Sequence, residues 1–199
     1  MAVHRDADGE LDGYIHYELS WNDDPLGVDT GSGHVHEVWA VDAGAELALW
    51  EYVLGIDLVR TVRVDELAPD SVLFAAAADQ RAVRLVTRWD EQWLRILDVD
   101  AALTARTYGP ATPVTIAVAE RDGTTRGTWR VAGEGAERSD GATPDVTTDI
   151  AGLSAAYLGS TSWWELVATG RATATGPAAI VGADALFASR PLAFCGSFF

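Results

Sequence analysis

Residues 149–199 read DIAGLSAAYLGSTSWWELVATGRATATGPAAIVGADALFASRPLAFCGSFF. Asp149 precedes an apolar run that reads as a helix over 150–158. Gly159, Ser160 and Thr161 supply a turn, Trp163 and Trp164 open a second helix that runs to 168, and the Ala-rich run 178–188 forms a third. The chain then ends on PLAFCGSFF, residues 191–199. Chain ends are usually polar and frayed, so a tail this apolar is expected to be buried, with its terminal carboxylate. Two uses are open for it. The tail can close a hydrophobic core, or the Phe199 carboxylate can serve in a cleft as an anion site or general base.

Upstream of this stretch, residues 114–119, 128–131 and 146–149 read as strands. The loops between them are rich in Gly, Asp and Thr (122–123, 133–135, 140–144). Gly109, Pro110 and Pro113 interrupt the pattern and mark a boundary nearby. The first half opens with strands over 2–4 and 14–21, joined by Asp-Gly turn chemistry, and a polar loop over 22–33. Residues 34–41 form a third strand. Strict alternation puts Val35, Glu37, Trp39 and Val41 on one face and His34, His36, Val38 and Ala40 on the other. Asp42 is an N-cap for a helix over 43–58, and 59–64 is a strand. Asp70 caps a second helix through about Val86, 93–97 is a strand, and Asp98 or Asp100 caps a short helix over 101–106. The fold class expected is α+β, with an antiparallel sheet and two helices followed by a small sheet with helices at its end.

The length of 199 residues fits one large domain or two small ones. No apolar run is long enough to cross a bilayer, and MAVHRDADGE lacks the apolar core of a secretory signal, so a cytoplasmic location is expected. Cys195 is the only cysteine, which excludes an internal disulfide, and it reads as a small apolar residue rather than a nucleophile. The net charge is -16, from 30 acidic residues against 14 bases, all Arg. This balance argues against nucleic acid and anionic membranes, and it suits solubility or a cationic partner.

Local motifs are sparse. His34 and His36 share a strand face at chelating spacing, but a third ligand is not apparent and no metal is expected. There is no GxSxG, and the glycines at 31–33 and 133–135 lack a Walker or Rossmann context. Trp163 and Trp164 cannot both face one core, so one is available for a ligand or subunit contact.

The segments DGYIHYEL (12–19), HEVWAVDAGAELALWEYVLGIDLVRTVRV (36–64) and WLRILDVDAALTARTY (93–108) are similar to the central region of Eis-like (enhanced intracellular survival) N-acetyltransferases. LSAAYLGSTSWWELVATGR (153–171) and ADALFASRPLAFCGSFF (183–199) resemble their C-terminal domain. The resemblance implies a partial, degenerate second GNAT-like domain over 1–98 and a sterol-carrier-protein-like domain over 99–199. It implies acetylation of amines, of the aminoglycoside or lysine type, with the Phe199 carboxylate as base and Phe198 and Trp163 at the substrate. It also implies homo-oligomers and a cationic amine substrate. The family's acetyl-CoA loop, R/Q-x-x-G-x-G/A at a helix start, is absent here. No cofactor is therefore expected on this chain, which reads as the C-terminal half of a longer enzyme and as inactive by itself. Two alternatives remain: a module that encloses an apolar ligand, and an oligomerisation scaffold.

Overall fold

The computed structural model describes residues 1–22, 30–90, 92–119 and 125–196. The chain divides into two compact units. One is Met1–Trp89 together with residues 194–196, and the other is Asp90–Ala193.

The first unit runs β1 (Ala2–Arg5), β2 (Leu11–Asn22), β3 (Thr30–Ala40), α1 (Ala43–Leu54), β4 (Val59–Val64) and the single turn α2 (Leu73–Ala76). Its sheet order is β1-β2-β3-β4. The sheet is mixed, not antiparallel throughout as expected: α1 is a crossover that brings β4 back parallel to β3. Asp6 fixes the first hairpin by accepting from Asp8 N and Glu10 N, both at 2.9 Å. Asp42 caps α1 as expected, accepting from Ala45 N at 2.9 Å. The helix ends at Leu54 rather than residue 58. Gly55 donates back to Glu51 O, and Leu58 takes a positive φ of 63° to swing the chain into β4.

Strict alternation fails on β3. His16 faces Glu37 while Tyr17 faces Val35, so His36 is an extra, bulged residue. The bulge resets the faces. Val35, Val38 and Ala40 turn toward α1 and join Ile15, Leu49, Trp50 and Val53 in the core, while Glu37 and Trp39 turn away with the histidines.

The helix expected from Asp70 to Val86 shrinks to α2, with Val72 at its N-cap. Ser71 Oγ accepts from Leu73 N and donates to Glu46, and Asp79 captures Arg81 N at 3.0 Å, so side chains compete for the backbone beyond the first turn. Leu73 and Val83 still reach the first core and Ile96 the second, but Val86 is 91% exposed and Trp93 87%, so neither segment has a continuous apolar face to bury.

The second unit contains α3 (Val99–Ala105), β5 (Val114–Ala119), β6 (Thr125–Ala132), β7 (Gly135–Arg138), β8 (Val146–Asp149), α4 (Ile150–Ala156), α5 (Trp163–Ala168), β9 (Ala172–Ala174) and α6 (Pro177–Phe187). Its sheet order is β7-β6-β5-β8-β9, with β5 and β8 parallel and the other pairs antiparallel. Strands β7 and β9 are additions to the expected set. Asp98 and Asp149 cap α3 and α4, and Ser162 with Glu165 forms a capping box on α5. The core gathers Leu103, Ile116, Val118, Trp129, Leu153, Trp163, Leu186 and Phe187. The α+β class therefore holds for both units.

Arg106 stitches this core from within. Its Nε donates to Tyr157 O at 2.8 Å, and its Nη2 to Phe187 O at 2.6 Å. Its guanidinium stacks over the Tyr108 and Phe187 rings at 5.0 and 4.7 Å. These bonds satisfy carbonyls at the ends of α4 and α6 that the helices leave open.

Candidate functional site

The face of the first sheet turned away from α1 carries most of this unit's chemistry. Tyr14 Oη donates to Glu37 Oε1 at 2.8 Å, and the Tyr14 ring stacks with Trp39, centroids 6.1 Å apart. That bond, helped by partial burial, raises the Tyr14 pKa above its ordinary value. Next along the face, the His36 ring lies 4.2 Å from the His34 ring and 5.2 Å from the His16 ring, centroid to centroid. The group beside the two histidines that the sequence did not reveal is Asp65, just beyond β4. Its Oδ2 is 2.5 Å from His34 Nε2 and 3.9 Å from His36 Nδ1, and its Oδ1 is 3.1 Å from Arg63 Nη2. Burial by itself would raise the Asp65 pKa, but the His34 hydrogen bond and the charges of His34, Arg63 and His36 outweigh it and hold the carboxyl below its usual range.

Asp65 arrives through the parallel register, in which His34 pairs with Arg63 and Val35 with Val64. A 29-residue separation from His36 hides this pairing in the sequence. The only local signal is the His34–His36 spacing.

The start of α1 follows a strand within a β–α–β crossover, the place where backbone N–H groups commonly hold a phosphate. Here Asp42 takes the Ala45 N–H, and Glu46 adds a second carboxylate in the first turn. The Asp42 carboxylate thus already stands at the helix start, where the diphosphate of acetyl-CoA would need donors, while the Glu46 carboxylate turns along the helix to accept from Trp50 Nε1 and Ser71 Oγ.

In the second unit, Leu97, Asp98, Asp100, Arg126, Trp129 and Arg138 line a pocket of about 220 Å³. Arg138 Nε bonds Asp140 Oδ2 at 2.7 Å and Nη1 bonds Asp100 Oδ2 at 3.1 Å, while Asp100 Oδ1 accepts from Trp129 Nε1 at 2.8 Å. The Asp140 bond raises the Arg138 pKa and lowers that of Asp140.

Of the site residues expected from sequence, Phe198 and Phe199 lie outside the described residues. Trp163 is 0% exposed and packs edge-on to Phe187, centroids 5.2 Å apart. Closed in the core, its side chain is out of reach of a substrate. Trp164, 62% exposed, is the available member of the pair.

A four-stranded sheet with a parallel crossover, followed by a mixed five-stranded sheet backed by helices, defines a two-part architecture with known counterparts. Residues 1–106 match the acetyltransferase (GNAT) domain family, and residues 99–196 match the sterol carrier protein domain. The chain belongs to the GNAT acetyltransferase domain family, with a sterol-carrier-like domain following.

An uncharacterized N-acetyltransferase of Streptomyces griseus is 37% identical over 202 residues, covering 99% of this chain and 48% of the relative. The N-acetyltransferase Eis of Mycobacterium tuberculosis is 36% identical over 97 residues, 49% of this chain and 22% of that protein. The crystal structure of Eis1 from Mycobacterium abscessus superposes with a TM-score of 0.78 at 33% identity, covering 94% of this chain and 48% of that one. The chain thus spans about half the length of the relatives it matches along its whole extent. No helix among the described residues is long and apolar enough to cross a membrane.

Proposed function

We propose that this chain is the acceptor-side and assembly portion of an Eis-like, acetyl-CoA-dependent N-acetyltransferase acting on amines of the aminoglycoside or lysine type. The GNAT-like part is taken as residues 1–98 and the sterol-carrier-like part as 99–199. The observation that carries this reading is the grouping of the chain's end: residues 194–196 join the GNAT-like unit, although α6, just before them, belongs to the other. In this reading the Phe199 carboxylate deprotonates or orients the substrate ammonium, and Phe198 contributes to substrate binding. The net charge of -16 favours a cationic amine.

In this reading acetyl-CoA is held by a segment of the longer enzyme outside this chain, in keeping with the Asp42 carboxylate at the start of α1. By itself the chain transfers no acetyl group. The working form is cytoplasmic and homo-oligomeric. An apolar-ligand role is disfavoured, since Trp129, Trp163, Leu186 and Phe187 fill the described core of the second unit.

The test is reconstitution. The chain is co-expressed with the part of the Streptomyces griseus relative that it does not cover, and acetyl transfer to an aminoglycoside and to a lysine peptide is followed by thiol release. Transfer is expected in the pair, absent from either part separately, and lost when Phe199 is deleted or the chain is extended by one residue. Undiminished transfer after that deletion would overturn the role given to the carboxylate.

A further inference from the structure

We infer that His34, His36 and Asp65 form a binding site for a divalent transition-metal ion of the zinc class on the face of the first sheet turned away from α1. This proposal is independent of the acetyl-transfer reading.

One donor atom from each of the three residues can be chosen so that all lie within 4.8 Å of one another. Protein ligands of a tetrahedral zinc ion stand about 3.3 Å apart. The His34 Nε2–Asp65 Oδ2 distance of 2.5 Å must open by less than an ångström or so to admit the ion, and the His36 Nδ1–Asp65 Oδ2 distance of 3.9 Å must close by a similar amount. Side-chain torsions absorb changes of that size. Two imidazoles and a carboxylate suit a borderline-soft dication such as zinc better than calcium or magnesium, which prefer all-oxygen shells.

The surroundings are arranged as an outer shell would be. Arg63 Nη2 holds Asp65 Oδ1 at 3.1 Å, which leaves Oδ2 turned to both histidines. His36 Nε2 is shut off from solvent and has no hydrogen-bond partner. The Glu18 carboxylate lies 3.7 Å from it, near enough to draw closer and orient the ring as an outer-shell acceptor while Nδ1 faces the ion. His16, its ring 5.2 Å from that of His36, is a candidate for the fourth position. Alternation puts His34 and His36 on one face, the parallel register of β3 with β4 brings Asp65 beside them, and the bulge at His36 adds Glu37 to that face.

The test uses the whole chain, freed of any affinity tag and stripped with chelator. Zinc chloride is titrated calorimetrically, and cobalt(II) is titrated by visible absorption. One equivalent of zinc per chain is expected, with the intense bands of a low-symmetry, imidazole-ligated cobalt ion. His34→Gln, His36→Gln and Asp65→Asn should each weaken zinc by at least about tenfold. His4→Gln, whose ring instead bonds Asp12 at 2.7 Å, should bind as the parent does. Far-UV circular dichroism checks each variant's fold. Should His36→Gln fail to fold, the cobalt spectrum of the parent and the His34→Gln titration still decide. Absence of saturable zinc binding, or undiminished binding in a folded His34→Gln/His36→Gln chain, would overturn the site.

Discussion

The GNAT-like unit holds its polar chemistry on an open sheet face, whereas the sterol-carrier-like unit draws polar groups into its interior to hold packing together. In the first, α1 covers one side of the sheet, and Tyr14, His34, His36, Glu37 and Asp65 stand on the other with bonds mostly to one another. In the second, Arg106 threads among helix ends and aromatic rings, and Trp163 lies closed against Phe187. Substitutions in the second unit should therefore act on stability, and those on the open face of the first should act on ligands.

Four predictions sharpen or break that contrast. The largest effect is expected from Trp163→Ala, about 4 kcal/mol of destabilisation from the cavity it leaves. Trp164→Ala, at an exposed position, should cost under about 0.5 kcal/mol. Urea midpoints measure both, and equal effects would erase the distinction between the two tryptophans.

Arg106→Leu should follow at about 3 kcal/mol, because it strands Tyr157 O and Phe187 O without donors. Hydrogen exchange should then quicken in β5 and β6 while β2 and β3 keep their protection.

Gly109→Ala comes next, at roughly 2 kcal/mol. A Cβ there would run into the backbone oxygen of Ala185, and Gly109 N already donates to Leu186 O at 2.9 Å. Backbone cannot swing aside as a long side chain could, so a neutral outcome in thermal melts would mean that α6 is looser than described.

The smallest effect is an alkaline one. Burial pushes the Tyr108 phenol from its ordinary value of 10.0 up to about 12, and its hydroxyl donates to Leu103 O at 2.7 Å. As pH rises, the unfolded chain loses this proton first and holds fewer protons than the folded one. Stability is thus full below pH 10.0 and declines as pH climbs toward about 12. Tyr108→Phe should flatten that decline, read as urea midpoints across the range.

Legibility in the sequence followed the same divide. The helix start at Asp42, and that at Asp98 as one of two candidates, could be read directly, because each cap is a contact within a few residues, whereas the cap read at Asp70 gave way to Val72. Strand β7 was lost because Gly133, Glu134 and Gly135 carry turn chemistry, and the short strand after them has no apolar alternation to reveal it. The helix over 70–86 misled because apolar spacing reports a face and not what the face meets. Leu85 and Val86 meet solvent. The histidine pair was visible, but Asp65 was not, since a parallel register and a bulge set its place. A bulge also undid the face assignment on β3, where one inserted residue reverses every side chain beyond it.

The most direct test of the account is calorimetric titration of the 199-residue chain with acetyl-CoA. With the start of α1 capped by Asp42, no saturable binding is predicted. One-to-one binding with a micromolar dissociation constant would contradict the account, and would mean that this chain carries the donor site itself.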